Sequence, residues 1–231
     1  PPRAPGEAMT STLLRLSVPA RSEAEHQALA GKELLSIPEP TYGGQLQDFA
    51  VPGLKREASV DVDYEEIDVE LAGGETATLR KPAWRIVDEN YGPLDPEVRI
   101  SPRVAPQMIG LGLIEAIHEA DIRALADPDD KDGDGISGRV SEVRDPQTGE
   151  LALGRFGWKA SQPTIEQQAA DAFAADIGIS SPKAPRHWGD CTINQDACLA
   201  MASGVQERLG DTEAPDPVLD LVTFYSRNLA V

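Results

Sequence analysis

The stretch SVDVDYEEIDVELAGGETATLRKPAWRIV, residues 59–87, alternates apolar and charged side chains with a period of two, which is typical of β-strands. The apolar members of its first half are Val60, Val62, Tyr64, Ile67, Val69 and Leu71. Gly73 and Gly74 follow and indicate a hairpin turn. We therefore predict a small antiparallel β-meander over residues 57–88, whose acidic stripe is its solvent face.

Helical signals lie on both sides of this predicted sheet. Ser22 with Glu25 three positions later forms a capping box and predicts a helix over residues 22–36. Residues 105–145 are predicted to hold a helix followed by an aspartate-rich loop, and residues 163–231 to hold three helices. The fold class predicted is α+β, mostly helices and long loops with one small antiparallel meander, in a single domain or fragment spanning residues 1–231.

The first and last of the three closing helices carry the clearest boundaries. Thr164 and Gln167 form a second capping box, and Gly178 is placed to end that helix. The last helix begins near Asp216. One face of it consists of Val218, Leu221, Val222, Tyr225 and Leu229.

The chain is strongly acidic. Its 231 residues include 39 Asp and Glu against 21 Lys and Arg, a formal net charge of −18. Such a surface repels phosphate backbones and anionic headgroups, which argues against nucleic-acid and membrane partners. No stretch reaches the roughly 20 apolar residues of a membrane span. This negative charge favours the binding of cations or of basic protein patches. The alternative is that it serves only solubility.

Two cysteines, Cys191 and Cys198, enclose six residues. They can close a small disulfide loop, which would place the protein in an oxidising compartment such as the periplasm or the cell exterior. The alternative is two unpaired thiols in a reducing cytosol.

The stretch DPDDKDGDGISGRV, residues 127–140, is typical of a site for a hard cation. Asp130, Asp132 and Asp134 with the following glycine match the first positions of an EF-hand loop, and Ile136 would offer its backbone carbonyl. The match then fails, because the twelfth position is a serine and Glu142 comes one residue late. We predict a calcium loop of another framework with these five residues as ligands. A solvated acidic turn is the alternative.

Several blocks of the sequence resemble the bacterial di-haem oxidoreductase family, whose members are also labelled thiol oxidoreductases or peroxidases. These blocks are YGGQLQDFAVPG (42–53), SPRVAPQMIGLGLIEAI (101–117), the aspartate stretch (127–140) and GRFGWKASQPTIEQQAADAFAADIGISSP (154–182). The segment LLRLSVP, the cysteine pair and the closing RNLAV extend the resemblance over nearly the whole chain. The resemblance implies an exported, cytochrome c-related parent protein that uses two c-type haems.

One family feature is absent from the chain. It has no Cys-x-x-Cys-His haem-attachment motif. We therefore expect it to be the region between the haem-attachment sites, without covalent haem and without activity by itself. Its partners would be the flanking haem regions of the parent and a redox protein. Arg155, Trp158 and Lys159 could face a haem, or they could form an ordinary aromatic-anchored turn.

The function predicted is that of a calcium-braced scaffold for the haem regions of an electron-transfer protein or peroxidase. The alternative is a non-catalytic exported module for calcium binding or protein interaction.

Overall fold

Paired β-strands organise one of two units into which the chain divides. The computed structural model describes residue 7 and residues 9–230. Unit 1 consists of the chain up to Val18, residues 38–105 and residues 192–197, and unit 2 consists of the rest. The prediction of a single domain or fragment over residues 1–231 stays a prediction, and both of its end residues lie outside the described part.

Unit 1 contains five strands in two antiparallel sheets. They are β1 (Thr12–Ser17), β2 (Gln45–Leu46), β3 (Ser59–Glu70), β4 (Thr76–Val87) and β5 (Arg99–Val104). One sheet has the order β2-β1-β5, and its register pairs Leu14 with both Leu46 and Pro102. The prediction of a single sheet is therefore wrong. The sequence did not indicate this sheet because β1 and β5 are far apart in the chain and neither carries a long alternating pattern of its own.

The predicted meander is a two-stranded hairpin. Strands β3 and β4 pair in register over 12 residues each, from Ser59 opposite Val87 to Glu70 opposite Thr76. The base of the hairpin joins the core of unit 1, where Val60 packs with Leu14, Leu16 and Tyr42. Alternation of apolar side chains thus predicted both strands, and the described residues 57–88 contain these two.

Two carboxylates are buried in unit 1 and organise its loops. Glu39 is 1% exposed and accepts hydrogen bonds from the amides of Thr41 and Tyr42, both at 2.7 Å, and of Asp95 at 2.9 Å. Glu57 is also buried and accepts a hydrogen bond of 2.6 Å from the amide of Gln47. Charge-assisted hydrogen bonds of this kind offset the cost of removing a carboxylate from water.

The remaining elements all lie in unit 2, except that α5 begins in unit 1. They are α1 (Glu23–Ala30), α2 (Leu111–Ala116), α3 (Glu119–Ala124), β6 (Glu142–Arg144), β7 (Leu151–Leu153), α4 (Ile165–Ile177), α5 (Asp196–Leu199) and α6 (Asp216–Asn228). Strands β6 and β7 form a third small antiparallel sheet.

Both helices begin where the sequence predicts, but only the first capping box is complete. The Ser22 side chain accepts a hydrogen bond from the Glu25 amide, and the Glu25 side chain accepts one from the Ser22 amide. Thr164 accepts one from the Gln167 amide, whereas the Gln167 side chain donates to Asp171. Gly178 ends α4 in the left-handed conformation with φ of 63°, as the sequence indicates.

Other helical predictions need correction. Helix α1 ends at Ala30 and not at residue 36, since Lys32 adopts a left-handed φ of 58° just beyond it. Helix α5 is a single turn of four residues. Helix covers 22% of the chain and strand 24%, so the fold is α+β but not mostly helical.

Helices α2 and α6 approach each other at Gly112. A Cβ atom at this position would overlap the carbonyl oxygen of Arg227. The amide of Gly110, just before α2, donates a hydrogen bond of 3.1 Å to the Leu229 carbonyl at the end of α6. Glycine therefore permits the close backbone contact between the two helices.

We expect Gly112→Ala to lower the free energy of unfolding by about 1–3 kcal/mol, because the added methyl group overpacks this contact. Urea unfolding followed by circular dichroism measures the change. The matched control is Gly73→Ala, where an added Cβ meets no atom within 4 Å; its effect should stay within about 0.5 kcal/mol. Equal stability of the two variants would contradict the close contact.

Candidate functional site

The structure brings the three predicted aspartates together. Asp130, Asp132 and Asp134 each offer one carboxylate oxygen, and these oxygens lie within 4.8 Å of one another. Asp130 is half-buried and the other two are exposed. This separation suits oxygen ligands that converge on one cation, and we call the segment from Asp127 to Gly138 the aspartate loop.

Backbone hydrogen bonds close and shape the aspartate loop. The amide of Asp127 donates to the Gly138 carbonyl at 2.9 Å, which joins the two ends. The carboxylate of Asp127 accepts a hydrogen bond of 2.8 Å from the Lys131 amide. Inside the loop, the Gly135 amide lies 3.2 Å from both carboxylate oxygens of Asp130. The aspartate side chains are thus held by the loop's own backbone.

The loop needs its glycines. Gly133 and Gly135 have φ of 73° and 86°, and an added Cβ would be strained at either position. The Ile136 amide then donates a hydrogen bond of 2.8 Å to Asp134. A glycine directly after the third aspartate is what the sharp turn of a calcium loop requires.

The other two predicted ligands, Ile136 and Glu142, are not part of the group of three converging aspartates. Ile136 directs an exposed side chain outward, and Glu142 lies in β6, where its carboxylate accepts a hydrogen bond of 3.1 Å from Arg123. A strand, not a helix, follows the aspartate loop, so the loop is not part of an EF-hand, as the sequence indicated. Coordination by Ile136 and Glu142 stays a prediction.

Arg155 caps the C-terminal end of α2. Its Nη1 donates to the carbonyl oxygens of Ile114 at 3.1 Å, Glu115 at 3.2 Å and Ile117 at 2.6 Å. The last carbonyls of a helix lack amide partners one turn further along, and the guanidinium helps to satisfy them. The Ile114 carbonyl also accepts a hydrogen bond of 3.3 Å from the Ile117 amide. Sequence reasoning missed this capping role, because Arg155 follows the helix by about 40 residues.

The other two predicted haem-facing residues lie at the surface. The side chain of Trp158 is 54% exposed, and Lys159 is exposed beside it. Their orientation toward a haem, like that of Arg155, stays a prediction.

Glu115 joins three helices of unit 2. Its carboxylate accepts hydrogen bonds from Arg227 of α6, at 2.5 Å from Nε and 3.3 Å from Nη2. It also accepts one of 3.3 Å from the Ile165 amide at the start of α4. Burial raises the pKa of Glu115, but the hydrogen bonds from Arg227 and Ile165 and the charges of Arg227 and Arg155 outweigh this and lower the pKa below its usual value.

A cavity of about 420 Å³ lies beside the aspartate loop. Its walls are mainly apolar and include Ile117, Ile122, Leu125 and Val140, with Arg139 and Arg155 as the basic groups. Leu125 is 83% exposed at this cavity. The aspartate loop, the cavity and Arg155 therefore share one region of unit 2.

Helix α6 presents its apolar face to the outside. The residues it buries are Leu219, Thr223 and Ser226, two of which are small and polar. The exposed side chains are Val218, Leu221, Phe224 and Tyr225, which we call the α6 stripe. Periodicity correctly predicted that most of these residues share one face, but that face does not pack on the core of unit 2.

The predicted disulfide is present, and the alternative of free thiols is not. Cys191 and Cys198 are bonded to each other. The six residues between them belong to unit 1, where Gln195 is buried and donates a hydrogen bond of 2.6 Å to Glu57. The residues of this chain do not fit a covalently held c-type haem, because both of its cysteines are already joined.

A comparison with protein families gives one match. Residues 6–231 match the family described as "Di-haem oxidoreductase, putative peroxidase". No curated protein and no solved structure matches the chain. Among residues 9–230, none of the helices has the length and apolar character needed to cross a bilayer.

The lowered pKa of Glu115 makes a pH-dependent contribution to stability. A carboxylate whose pKa is lower in the folded state stabilises the fold above its unfolded pKa, and this contribution is lost as the pH falls through the folded value. We expect Glu115→Gln to be less stable than the wild type at pH 7. The difference should shrink below about pH 4.5, the ordinary glutamate pKa.

Urea midpoints of both proteins between pH 7 and pH 3 measure this difference. Glu119→Gln is the control, because Glu119 pairs at the surface with Arg123 of its own helix. A difference between Glu115→Gln and the wild type that stays constant down to pH 3 would contradict the assigned role.

Proposed function

The chain belongs to the di-haem oxidoreductase family, and from that premise we propose that it is the non-haem region of an exported di-haem c-type oxidoreductase. In this proposal the haem-bearing regions of the parent protein pack on it. Electron transfer or peroxide reduction would take place at those regions, which supply the redox chemistry. Two features support the proposal: the chain lacks an attachment motif, and its disulfide suits an oxidising compartment.

The single observation that carries the scaffold role is the α6 stripe. Leu221 is 69% exposed, Phe224 66% and Tyr225 63%, although the chain as a whole is highly charged. On α2, which packs against α6, Leu113 is 78% exposed. Exposed apolar side chains that share one face of a helix are typical of interaction sites. A neighbouring region of the parent protein that covers the α6 stripe would bury it.

The geometry beneath the stripe supports a rigid platform. Arg227 of α6 is tied to Glu115, and the backbones of α2 and α6 meet at Gly112. Arg155 in turn caps α2. A surface held by charge-assisted hydrogen bonds and close backbone contact loses little entropy when a partner packs on it.

The second part of the proposal is that calcium binds the aspartate loop. Three converging carboxylates, with one oxygen each, supply at most half of the six to eight oxygens that calcium collects. Backbone carbonyls such as that of Ile136, a carboxylate such as that of Glu142, and water would complete the shell. The loop lies beside the cavity that Arg155 lines, so a bound ion would brace the same region that presents α2.

The alternative function is a non-catalytic exported module for calcium binding or protein interaction. The absence of haem-attachment cysteines from this chain is consistent with both functions. A visible absorption spectrum of the complete gene product, with and without a reductant, separates the two functions. Reduced c-type haem bands support the oxidoreductase, and a colourless complete protein supports the alternative.

We expect Leu221→Ser to have different effects in two settings. In this chain alone Leu221 is already exposed, so the free energy of unfolding should change by less than about 0.5 kcal/mol. In the complete gene product the same change should cost about 1–2 kcal/mol, because a buried leucine side chain is lost from an interface. Chemical unfolding of both proteins measures the two values.

Ile177→Ser is the matched control. Ile177 is a helical residue of unit 2 with 60% exposure, but it lies outside the α6 stripe. It should be neutral in both settings. If Leu221→Ser is as neutral as Ile177→Ser in the complete, haem-containing protein, the α6 stripe is not the packing surface.

We expect calcium to raise the melting temperature of the chain and chelation to lower it. A ligand that binds only the folded state adds about 2.7 kcal/mol of stability at 100 times its Kd. The variant Asp130→Asn/Asp132→Asn/Asp134→Asn should lose this response. The control Asp61→Asn/Asp63→Asn, which changes two carboxylates that pair with Arg85 on the hairpin, should keep it. An unchanged melting curve in chelator, on protein shown to contain the metal, would exclude a stabilising ion.

A further inference from the structure

One face of the sheet formed by β1, β2 and β5 carries arginines. Successive side chains of a strand point to opposite faces, and residues directly opposite each other share a face. Leu14 lies in the core of unit 1, so its neighbour Arg15 lies on the other face. The register places Ser101 opposite Arg15, and Arg103 opposite a residue two positions before Arg15. Arg15 and Arg103 are therefore diagonal neighbours on this face, a separation that long side chains can span.

The strands that form this face contain no carboxylate. We call it the arginine face, and its residues are Leu13, Arg15, Ser17, Gln45, Arg99, Ser101 and Arg103. Strand β1 has the sequence TLLRLS, β2 has QL and β5 has RISPRV, although 39 of the 231 residues of the chain are Asp or Glu. Within residue 7 and residues 9–230, neither Arg15 nor Arg103 forms an ion pair with a carboxylate. The positive charge of this pair is therefore not neutralised by a neighbouring side chain.

The hydrogen bonds of these two arginines are also incomplete. The half-buried arginines of the described part are Arg15, Arg103, Arg144 and Arg155. The last two donate to backbone carbonyl oxygens at 2.6 Å. The guanidinium groups of the first two each donate a single hydrogen bond to a neutral side chain, and both bonds are 3.4 Å long. Since an arginine has five N–H donors and strong N–H···O bonds are shorter than this, most of the donor capacity of the arginine face is unused.

The two guanidinium groups are close enough to repel each other. Burial lowers the pKa of Arg103, and the positive charge of Arg15 lowers it further. A cation that has lost part of its hydration is stabilised by an anion nearby. Because the three strands supply no such anion, a ligand that carries negative charge would supply it.

The arrangement of donors suits a phosphate group. A guanidinium binds an oxyanion through two parallel hydrogen bonds, so a single arginine can already satisfy the two oxygens and one charge of a carboxylate. Two arginines at diagonal positions match an anion with more oxygens and more charge. The Ser101 hydroxyl accepts its hydrogen bond from Arg103, which leaves its own proton for an anion. Gln45 is 4% exposed and accepts the hydrogen bond from Arg15, so the position of that guanidinium is restrained.

We propose that the arginine face binds a phosphate group, either as inorganic phosphate or as a phosphate monoester, between Arg15 and Arg103 with the Ser101 hydroxyl as a further donor. Neither arginine is fully buried, so their unused donors remain accessible to a small ligand. The proposal does not depend on haem or on calcium, and it concerns unit 1 alone.

Calorimetric titration of the full chain with inorganic phosphate tests the proposal, in calcium-free buffer whose only other anion is chloride. We expect saturable binding at one site, with a Kd at least about tenfold lower than that of acetate. Arg15→Gln and Arg103→Gln should each weaken phosphate binding at least about tenfold, because each removes one of the two guanidinium groups. Ser101→Ala keeps both cations and should weaken binding less than either of these variants.

The matched control is Arg85→Gln. It changes the net charge by the same amount and also lies in unit 1, but Arg85 pairs with Asp61 and Asp63 on the hairpin. Phosphate binding should be unchanged in this variant. Arg103→Lys keeps the positive charge but not the planar pair of donors, so it should also weaken phosphate binding. This variant keeps the test decisive if Arg103→Gln does not fold.

Phenyl phosphate distinguishes the two forms of the ligand. If it binds more tightly than inorganic phosphate, and Arg15→Gln weakens its binding, the natural ligand carries phosphate as a substituent. If inorganic phosphate binds more tightly, the ligand is the free ion.

Four results would overturn the proposal. The first is the absence of saturable phosphate binding with a Kd below about 10 mM. The second is equal phosphate binding by the wild type, Arg15→Gln and Arg103→Gln. The third is an equal loss of binding in Arg85→Gln, because binding would then follow the net charge of the chain. The last is acetate binding as tight as that of phosphate, because the site would then be one for carboxylates.

Discussion

The packing of helices α2, α4 and α6 in unit 2 depends on the hydrogen bonds of the Glu115 carboxylate. It receives the guanidinium of Arg227 from α6 and the first amide of α4, so one side chain joins three helices. Arg155 satisfies the carbonyls at the end of the same helix that carries Glu115. These groups are charged and their hydrogen bonds are directional, so they specify how the helices pack more sharply than apolar contact alone.

This polar packing explains why α6 leaves its apolar face outside. The inward face of α6 needs little volume, because Gly112 brings the two backbones together, and Leu219, Thr223 and Ser226 suffice to fill it. The larger apolar residues are left exposed. In the proposed function this face is a packing surface, and covalent haem belongs to other regions, because both cysteines of this chain form a disulfide.

Charge and apolar surface are separated within unit 2. The α6 stripe consists of exposed apolar side chains on one helix. The aspartate loop concentrates negative charge on a segment whose backbone already orients the side chains.

The sequence by itself determined the features that depend on neighbours a few residues apart. Local spacing accounts for four features. They are the helix N-caps at Ser22 and Thr164, the convergence of three aspartates around Gly133 and Gly135, the disulfide, and the alternating strands of the hairpin. In each case the interacting groups lie within one turn, one loop or one hairpin, so the chain entropy lost in joining them is small.

Only the tertiary structure decided the features whose partners are distant in sequence. Strand β1 pairs with β5, with Thr12 opposite Val104. Neither segment has a sequence pattern long enough to predict a strand by itself. Arg155 caps a helix 40 residues earlier, and Glu115 meets Arg227 across 112 residues. The outward orientation of the α6 stripe has the same origin. A helical period shows which residues share a face, but the packing of the other helices decides whether that face is buried.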